Sequence, residues 1–287
     1  MASTNPVAPW IRALRWFDDG VQRAFQIHEA VRDEIFLAFT PPDERPRVTG
    51  LAYSENPVRY VPGGTHFDGG LFDWERAAIP LLGLGRASRL LIAGAGGGRE
   101  LTGFAPLVRE VVAFEPSAPL FETAARVGRA LGNVVVHLGS YADFLEAAKG
   151  RGGPLSGALG PYDAVVLGRN SLGHLTDSDD RLAVLRALRQ TSPAARVLAT
   201  VTMRRGAEDI GQSPRVRRIL RRAFGTLGGR RVDDGLRYVR TRGFLHQFTY
   251  DEIAELAARA GYSIVSRETW PLALRQDRPT GYFVLAP

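Results

Sequence analysis

Apolar residues recur at helical spacing through the first 40 positions, as Ile11, Leu14, Phe17 and Val21, then Phe25, Ile27, Ala30 and Val31. A one-sided stripe of this period predicts helices. Pro41 and Pro42 end them, because proline lacks the amide proton that a helix interior needs. From Pro42 to Gly70 the chain is rich in proline, glycine and aromatics, including Tyr53, Tyr60 and Phe67. That stretch predicts an ordered loop or lid leading into a helix over Leu71–Leu82.

After Arg89 the period changes. Short β-branched runs, Leu90–Ala93, Val111–Glu115, Val134–His137, Ala164–Leu167 and Val197–Val201, alternate with stretches of helical pattern. Alternation of this kind builds βαβ units and a parallel sheet. A Thr249–Glu252 capping box opens a further helix over Tyr250–Ala260, which Gly261 closes. Strands near Ser263–Arg267 and Tyr282–Leu285 follow, too far apart for a tight hairpin.

The first of these strands runs directly into Gly94-Ala95-Gly96-Gly97-Gly98-Arg99-Glu100. Glycine suits a turn with backbone angles denied to side chains, and the missing Cβ lets a ligand approach the chain. Glu115 ends the second strand, 19 positions after Gly96. A carboxylate at that strand end faces the same crevice and can accept both hydroxyl protons of a ribose.

The Gly94, Gly96, Gly98 spacing resembles motif I of the class I S-adenosylmethionine-dependent methyltransferases, and Arg99 stands where a dinucleotide-binding loop wants a third small residue. The resemblance runs from about Tyr53 to the end of the chain. It implies an α/β fold, a Rossmann-like doubly wound, seven-stranded, mostly parallel sheet with helices on both faces and an N-terminal helical lid. Residues 1–75 form the lid segment on this reading, and 76–287 the cofactor-binding domain with an arginine-rich insert at 203–243.

The resemblance also implies site residues. Gly139-Ser140-Tyr141-Ala142-Asp143 matches the loop that commonly holds adenine, which puts Ser140 and Tyr141 near the base. Asn170-Ser171-Leu172-Gly173-His174-Leu175 looks like the segment after the fourth strand in glycine and sarcosine N-methyltransferases, which makes Arg169 and Asn170 candidates for the cofactor site. The sequence departs from the family at Ile92 and Ala93, where many members place an acid that helps hold the methionine amino group. Another residue, or loop carbonyls, must take that role.

Methyl transfer from a sulfonium needs alignment and exclusion of water more than a fixed catalytic set. A hydroxyl acceptor gains from a general base. His174, His66, His246 and Tyr60 are the candidates, with His174 and Tyr60 foremost. Tyr60, Phe67 and Phe72 can wall the acceptor pocket. The implied cofactor is S-adenosyl-L-methionine, and the implied partner is a small-molecule acceptor, nitrogen or oxygen, of a natural-product kind.

Composition narrows the alternatives. With no cysteine, disulfides, thiolate metal sites and cysteine nucleophiles are excluded, and no metal is expected. No apolar run approaches a membrane span, and Met1–Trp10 lacks the pattern of a signal peptide, so a cytoplasmic protein is expected. The net charge is +7 and Lys149 is the only lysine. Arginine is concentrated between Arg204 and Arg242, 12 of them against Glu208, Asp209, Asp233 and Asp234. Within that stretch Ser213 and Pro214 open a helix with Val216, Ile219, Leu220, Ala223 and Phe224 on one face and Arg215, Arg217, Arg218, Arg221 and Arg222 on the other, and Gly228 lies beyond its end.

An RNA methyltransferase would use such a face, but no aromatic interleaving for base stacking accompanies it. A spermidine synthase-like aminopropyltransferase shares the glycine loop but expects an aspartate after the fourth strand, where Gly168, Arg169 and Asn170 stand. A nicotinamide dehydrogenase is disfavoured by Arg99. A non-catalytic cofactor-binding protein is the remaining reading.

Overall fold

The computed structural model describes residues 9–204, 214–227, 233–270 and 280–287. Contacts divide the chain into two units, residues 1–40 with 206–234 and residues 41–205 with 235–287.

The first unit is built on two helices. The apolar stripe of the opening residues forms one continuous helix, α1 (Pro9–Phe39, 31 residues). It packs along the helix at Pro214–Leu227, called α9 below. Arg221 makes a bidentate ion pair with Glu34, with Nε at 2.9 Å and Nη2 at 3.1 Å from its two carboxylate oxygens. One member of the expected arginine face is thereby committed to α1. Ser213 and Gly228, and the side chains of Pro214, Arg215, Val216, Arg217 and Arg218, lie outside the described residues.

The second unit carries the sheet. In chain order it comprises α2 (Arg45–Glu55), α3 (Asp73–Leu82), β1 (Arg89–Ala93), α4 (Arg99–Phe104), β2 (Glu110–Glu115), α5 (Ala118–Leu131), β3 (Val134–Leu138) and α6 (Tyr141–Ala148). There follow β4 (Ala164–Leu167), α7 (Ser171–His174), α8 (Ser178–Thr191), β5 (Arg196–Thr202), β6 (Leu236–Val239), β7 (Gly243–His246), α10 (Tyr250–Arg259), β8 (Ser263–Trp270) and β9 (Thr280–Ala286). The seven-stranded sheet has the order β3-β2-β1-β4-β5-β9-β8. Strands β1 to β5 are parallel, and β9 lies antiparallel between β5 and β8.

Strand alternation sorts the core into two layers. In β1, Leu91 and Ala93 face a cluster with Phe144 of α6, Leu185 of α8 and Ile253 of α10. Leu90 and Ile92 face Trp74 and Ala78 of α3, Leu101 of α4 and Ala124 of α5. Near-continuous apolar strands are what a parallel sheet covered on both faces requires. The chain order reverses between β1 and β4, so a crevice opens at their carboxyl ends, where open α/β sheets bind ligands.

Two elements differ from the sequence reading. The stretch after Pro42 contains α2 in place of continuous loop, because Pro46 sits in its first turn, where proline costs nothing. A β6–β7 hairpin, with Leu236 opposite His246 and Val239 opposite Gly243, runs from within the stretch 203–243 to beyond its end. The Thr249–Glu252 capping box forms as expected. Among the described residues no helix is long and apolar enough to cross a membrane.

Candidate functional site

At the switch point β1 enters the glycine loop, and Gly94, Gly96 and Gly98 all take positive φ, at 77°, 55° and 98°. The amides of Gly94 and Ala95 donate to the Phe114 carbonyl at 2.9 and 3.0 Å, which folds the loop back onto β2. Other segments close in where no side chain fits. A Cβ on Gly97 would fall on the Tyr60 carbonyl oxygen, and one on Gly168 on the Gly94 carbonyl oxygen. One on Gly94 would lie 2.8 Å from Ser171 Cβ.

Glu115 reaches this loop from the end of β2. Its Oε2 accepts the Gly96 amide at 2.8 Å and its Oε1 accepts the Ser117 amide at 2.9 Å. Burial pushes its carboxyl up to about 7 against the pull of these two amides. Each oxygen keeps a second lone pair.

The loop's far end is held by a charge cluster invisible in the sequence. Arg99 donates to Glu75 of α3 through Nη1 and Nη2, to Glu100 at 2.6 Å and to the Gly70 carbonyl at 3.0 Å. Its guanidinium also lies 4.2 Å from the centre of the Phe72 ring. All three charged side chains are buried, and burial raises the Glu75 carboxyl. Glu100 in turn accepts the Arg169 amide at 3.4 Å, so the glycine-loop helix and the end of β4 meet at one carboxylate.

Arg99, Glu100, Glu115 and the glycine loop line a cavity of about 550 Å³. Gly94, Gly96, Glu115, Ser140, Tyr141, Arg169, Asn170, His174 and Tyr60 all border it. Gly98 does not border it, and acts as the left-handed start of α4. Ser140 caps α6 by accepting the Asp143 amide at 3.3 Å. Tyr141 OH bonds Ser171 Oγ at 2.7 Å, and burial raises its phenol.

Asn170 has φ 62°, the one positive value at a non-glycine position among the described residues. Its amide donates to the Thr200 carbonyl at 2.8 Å, and its Oδ1 accepts the Thr202 amide at 2.8 Å. That second bond fixes the amide's orientation, and Nδ2 is left buried without a protein partner, as is Ser117 Oγ.

His174 Nδ1 lies 2.8 Å from the Phe244 carbonyl and Nε2 lies 2.9 Å from Tyr53 OH. Burial holds this imidazole down at about 4, the Phe244 bond opposing and Arg242 assisting. Tyr53, Tyr60 and His66 continue as an aromatic wall, with ring centroids 5.3 and 5.6 Å apart along the series. Arg169 extends it, with Nη1 3.3 Å from His66 Nδ1 and its guanidinium 4.9 Å from the Phe72 centroid. Of the other candidates, Phe67 and His246 do not border the cavity. His246 is buried against Phe248, with ring centroids 4.6 Å apart.

No protein-family model and no curated protein matches the chain. Solved structures do. A methyltransferase from Methanosarcina mazei superposes with a TM-score of 0.55 at 12% identity, covering 76% of this chain and 98% of the other. The 1,6-didemethyltoxoflavin-N1-methyltransferase of Burkholderia thailandensis, solved with 1,6-didemethyltoxoflavin and S-adenosylhomocysteine, gives 0.55 at 18%, covering 86% and 91%. A methyltransferase from Clostridium acetobutylicum gives 0.50 at 12%, covering 74% and 89%. The fold is that of the Rossmann-like S-adenosylmethionine-dependent methyltransferases.

Within a methyltransferase fold the crevice described above fits an adenosine cofactor on its own terms. The glycine loop is a cradle that a Cβ would fill, Glu115 offers acceptors for a diol, and Ser117 Oγ and Asn170 Nδ2 are buried polar atoms lacking protein partners. Sequence reasoning missed Tyr53, Glu75 and Glu100. Glu100 adjoins the glycine run and was open to suspicion. Tyr53 and Glu75 reach the site from α2 and α3, and no local pattern announces that.

Proposed function

We propose that this chain is an S-adenosylmethionine-dependent methyltransferase acting on a small-molecule nitrogen or oxygen acceptor. The observation that carries the reading is Glu115, bonded to Gly96 at 2.8 Å at the switch point of the sheet. A carboxylate anchored beside a glycine loop is poised to receive a ribose diol.

When bound, the cofactor supplies a methyl group on an electrophilic sulfonium. The protein's part is to bind, orient and keep water out. Glu115 accepts the ribose hydroxyls, while Ser140 and Tyr141 border the adenine end. Glu100 takes over the methionine ammonium from the acid absent at Ile92 and Ala93, and Arg169 and Asn170 Nδ2 serve the carboxylate by charge and hydrogen bond. Tyr60, His66 and Phe72 cover the crevice, which strengthens every electrostatic contact inside it.

A partly enclosed cavity of about 550 Å³ supports a small acceptor over a polymer. Calorimetry with S-adenosylhomocysteine is the test. Binding with one-to-one stoichiometry is expected, and absence of both heat and thermal stabilisation overturns the reading.

A further inference from the structure

We propose that Tyr53 is the residue that meets the acceptor, as the outer member of a hydrogen-bond chain whose direction the backbone fixes, and that the acceptor group is a hydrogen-bond donor such as a hydroxyl. This rests on the methyltransferase reading above.

The direction follows from chemistry at its inner end. The Phe244 carbonyl can only accept, so His174 Nδ1, 2.8 Å away, carries the proton. The neutral ring then presents a lone pair at Nε2. Tyr53 OH, at 2.9 Å, must be the donor to it. With its proton turned toward His174, the Tyr53 oxygen offers only lone pairs to a ligand. A ligand group that bonds there has to be a donor.

Both nitrogens of His174 are occupied by these contacts, so an acceptor communicates with the imidazole through Tyr53. The two rings meet edge to face, with centroids 5.4 Å apart. Both border the cavity, and so does Ser171, one helical turn before His174, which abuts Gly94. The pair therefore stands one turn of α7 from the glycine loop.

For a hydroxyl acceptor the protons balance along this chain. The acceptor oxygen forms its bond to the methyl carbon as the carbon–sulfur bond breaks, and sulfur keeps that electron pair. The acceptor's O–H proton passes to the Tyr53 oxygen, and the Tyr53 proton passes to His174 Nε2. The products are a neutral thioether, a methyl ether and an imidazolium held at Nδ1 by Phe244. Burial leaves His174 a weak base, at about 4. The Tyr53, Tyr60 and His66 rings supply a wall suited to a flat, aromatic hydroxyl compound.

The probes are 4-nitrophenol and 4-nitroanisole, which differ in the hydroxyl proton, added to protein saturated with S-adenosylhomocysteine below the ionisation of the phenol. The wild type should prefer the phenol by about tenfold, the worth of one good hydrogen bond. Tyr53→Phe should bind S-adenosylhomocysteine normally and lose the preference, an effect that a merely structural tyrosine would not produce. Nitrogen-15 spectra should place the His174 proton on Nδ1. Equal affinity for the probes, a preference that survives in Tyr53→Phe, no binding of either probe, or a proton on Nε2 overturns the proposal. Failure of the wild type to bind S-adenosylhomocysteine removes the methyltransferase reading instead.

Discussion

Glu115 Oε2 accepts the Gly96 amide at 2.8 Å, and so one bond joins the acid at the end of β2 to the middle of the glycine loop. Burial pushes the carboxyl up to about 7 against the pull of this bond. A ribose diol donates protons and favours the ionised form. Affinity for S-adenosylhomocysteine should therefore strengthen as pH rises through about 7. Glu115→Gln should flatten that profile, and Glu115→Ala should weaken binding by about 1 to 3 kcal/mol. Calorimetry across pH checks both.

The same carboxyl and His174 pull stability in opposite directions. Glu115 is raised from 4.5 to about 7, so its contribution is present below 4.5 and lost as pH rises toward 7. His174 is lowered from 6.5 to about 4, so the unfolded chain binds its proton first, and stability falls as pH drops from 6.5 toward 4. Removing the first in Glu115→Gln should expose the second. Urea denaturation of that variant should show stability rising more steeply with pH between 4.5 and 6.5 than in the wild type.

Glu100→Gln tests the substitute for the missing motif acid. Loss of a charge-assisted bond to the ammonium should weaken S-adenosylhomocysteine binding by about tenfold. Binding of 5′-methylthioadenosine, which lacks the amino-acid moiety, should be unchanged. Equal losses for the two ligands would mean that Glu100 acts on the loop as a whole.

Arg99→Met leaves the Glu75 and Glu100 carboxylates facing each other without the guanidinium between them. Breaking a buried ion pair from one side costs about 3 to 5 kcal/mol, and denaturant melts should show the loss growing as pH rises and Glu75, raised by burial, ionises.

Gly97→Ala would drive a methyl group onto the Tyr60 carbonyl oxygen and should cost about 1 to 3 kcal/mol. Gly69→Ala meets nothing within 4 Å and should stay within about 0.5 kcal/mol of the wild type. Thermal melts of the pair separate the Tyr60 contact from the general effect of adding a methyl group.

The sheet was legible in the sequence because its strands are buried on both faces and read as apolar runs, Leu90–Ala93 and Ala164–Leu167 above all. The glycine loop and Glu115 were legible because both stand at strand ends, where chain order alone brings them together. Helix α2 was hidden because Arg45–Glu55 has almost no apolar face along it, and its identity depends on packing against β7. Tyr53 was named only as a lid aromatic. Its bond to His174 spans 121 positions, and no local spacing encodes a pair that only the tertiary fold assembles.

Asn170 illustrates how far frame and chemistry are fused here. Its left-handed backbone turns the chain out of β4, its Oδ1 is bound to β5 at the Thr202 amide, and its Nδ2 is buried without a protein partner. Most replacements at 170 would distort the turn and remove the donor together, and their phenotypes would be unreadable. Glycine alone keeps the dihedral at no steric cost, yet Asn170→Gly also takes the Oδ1 acceptor from the buried Thr202 amide, so even that edit alters the crevice and its anchorage to β5 together.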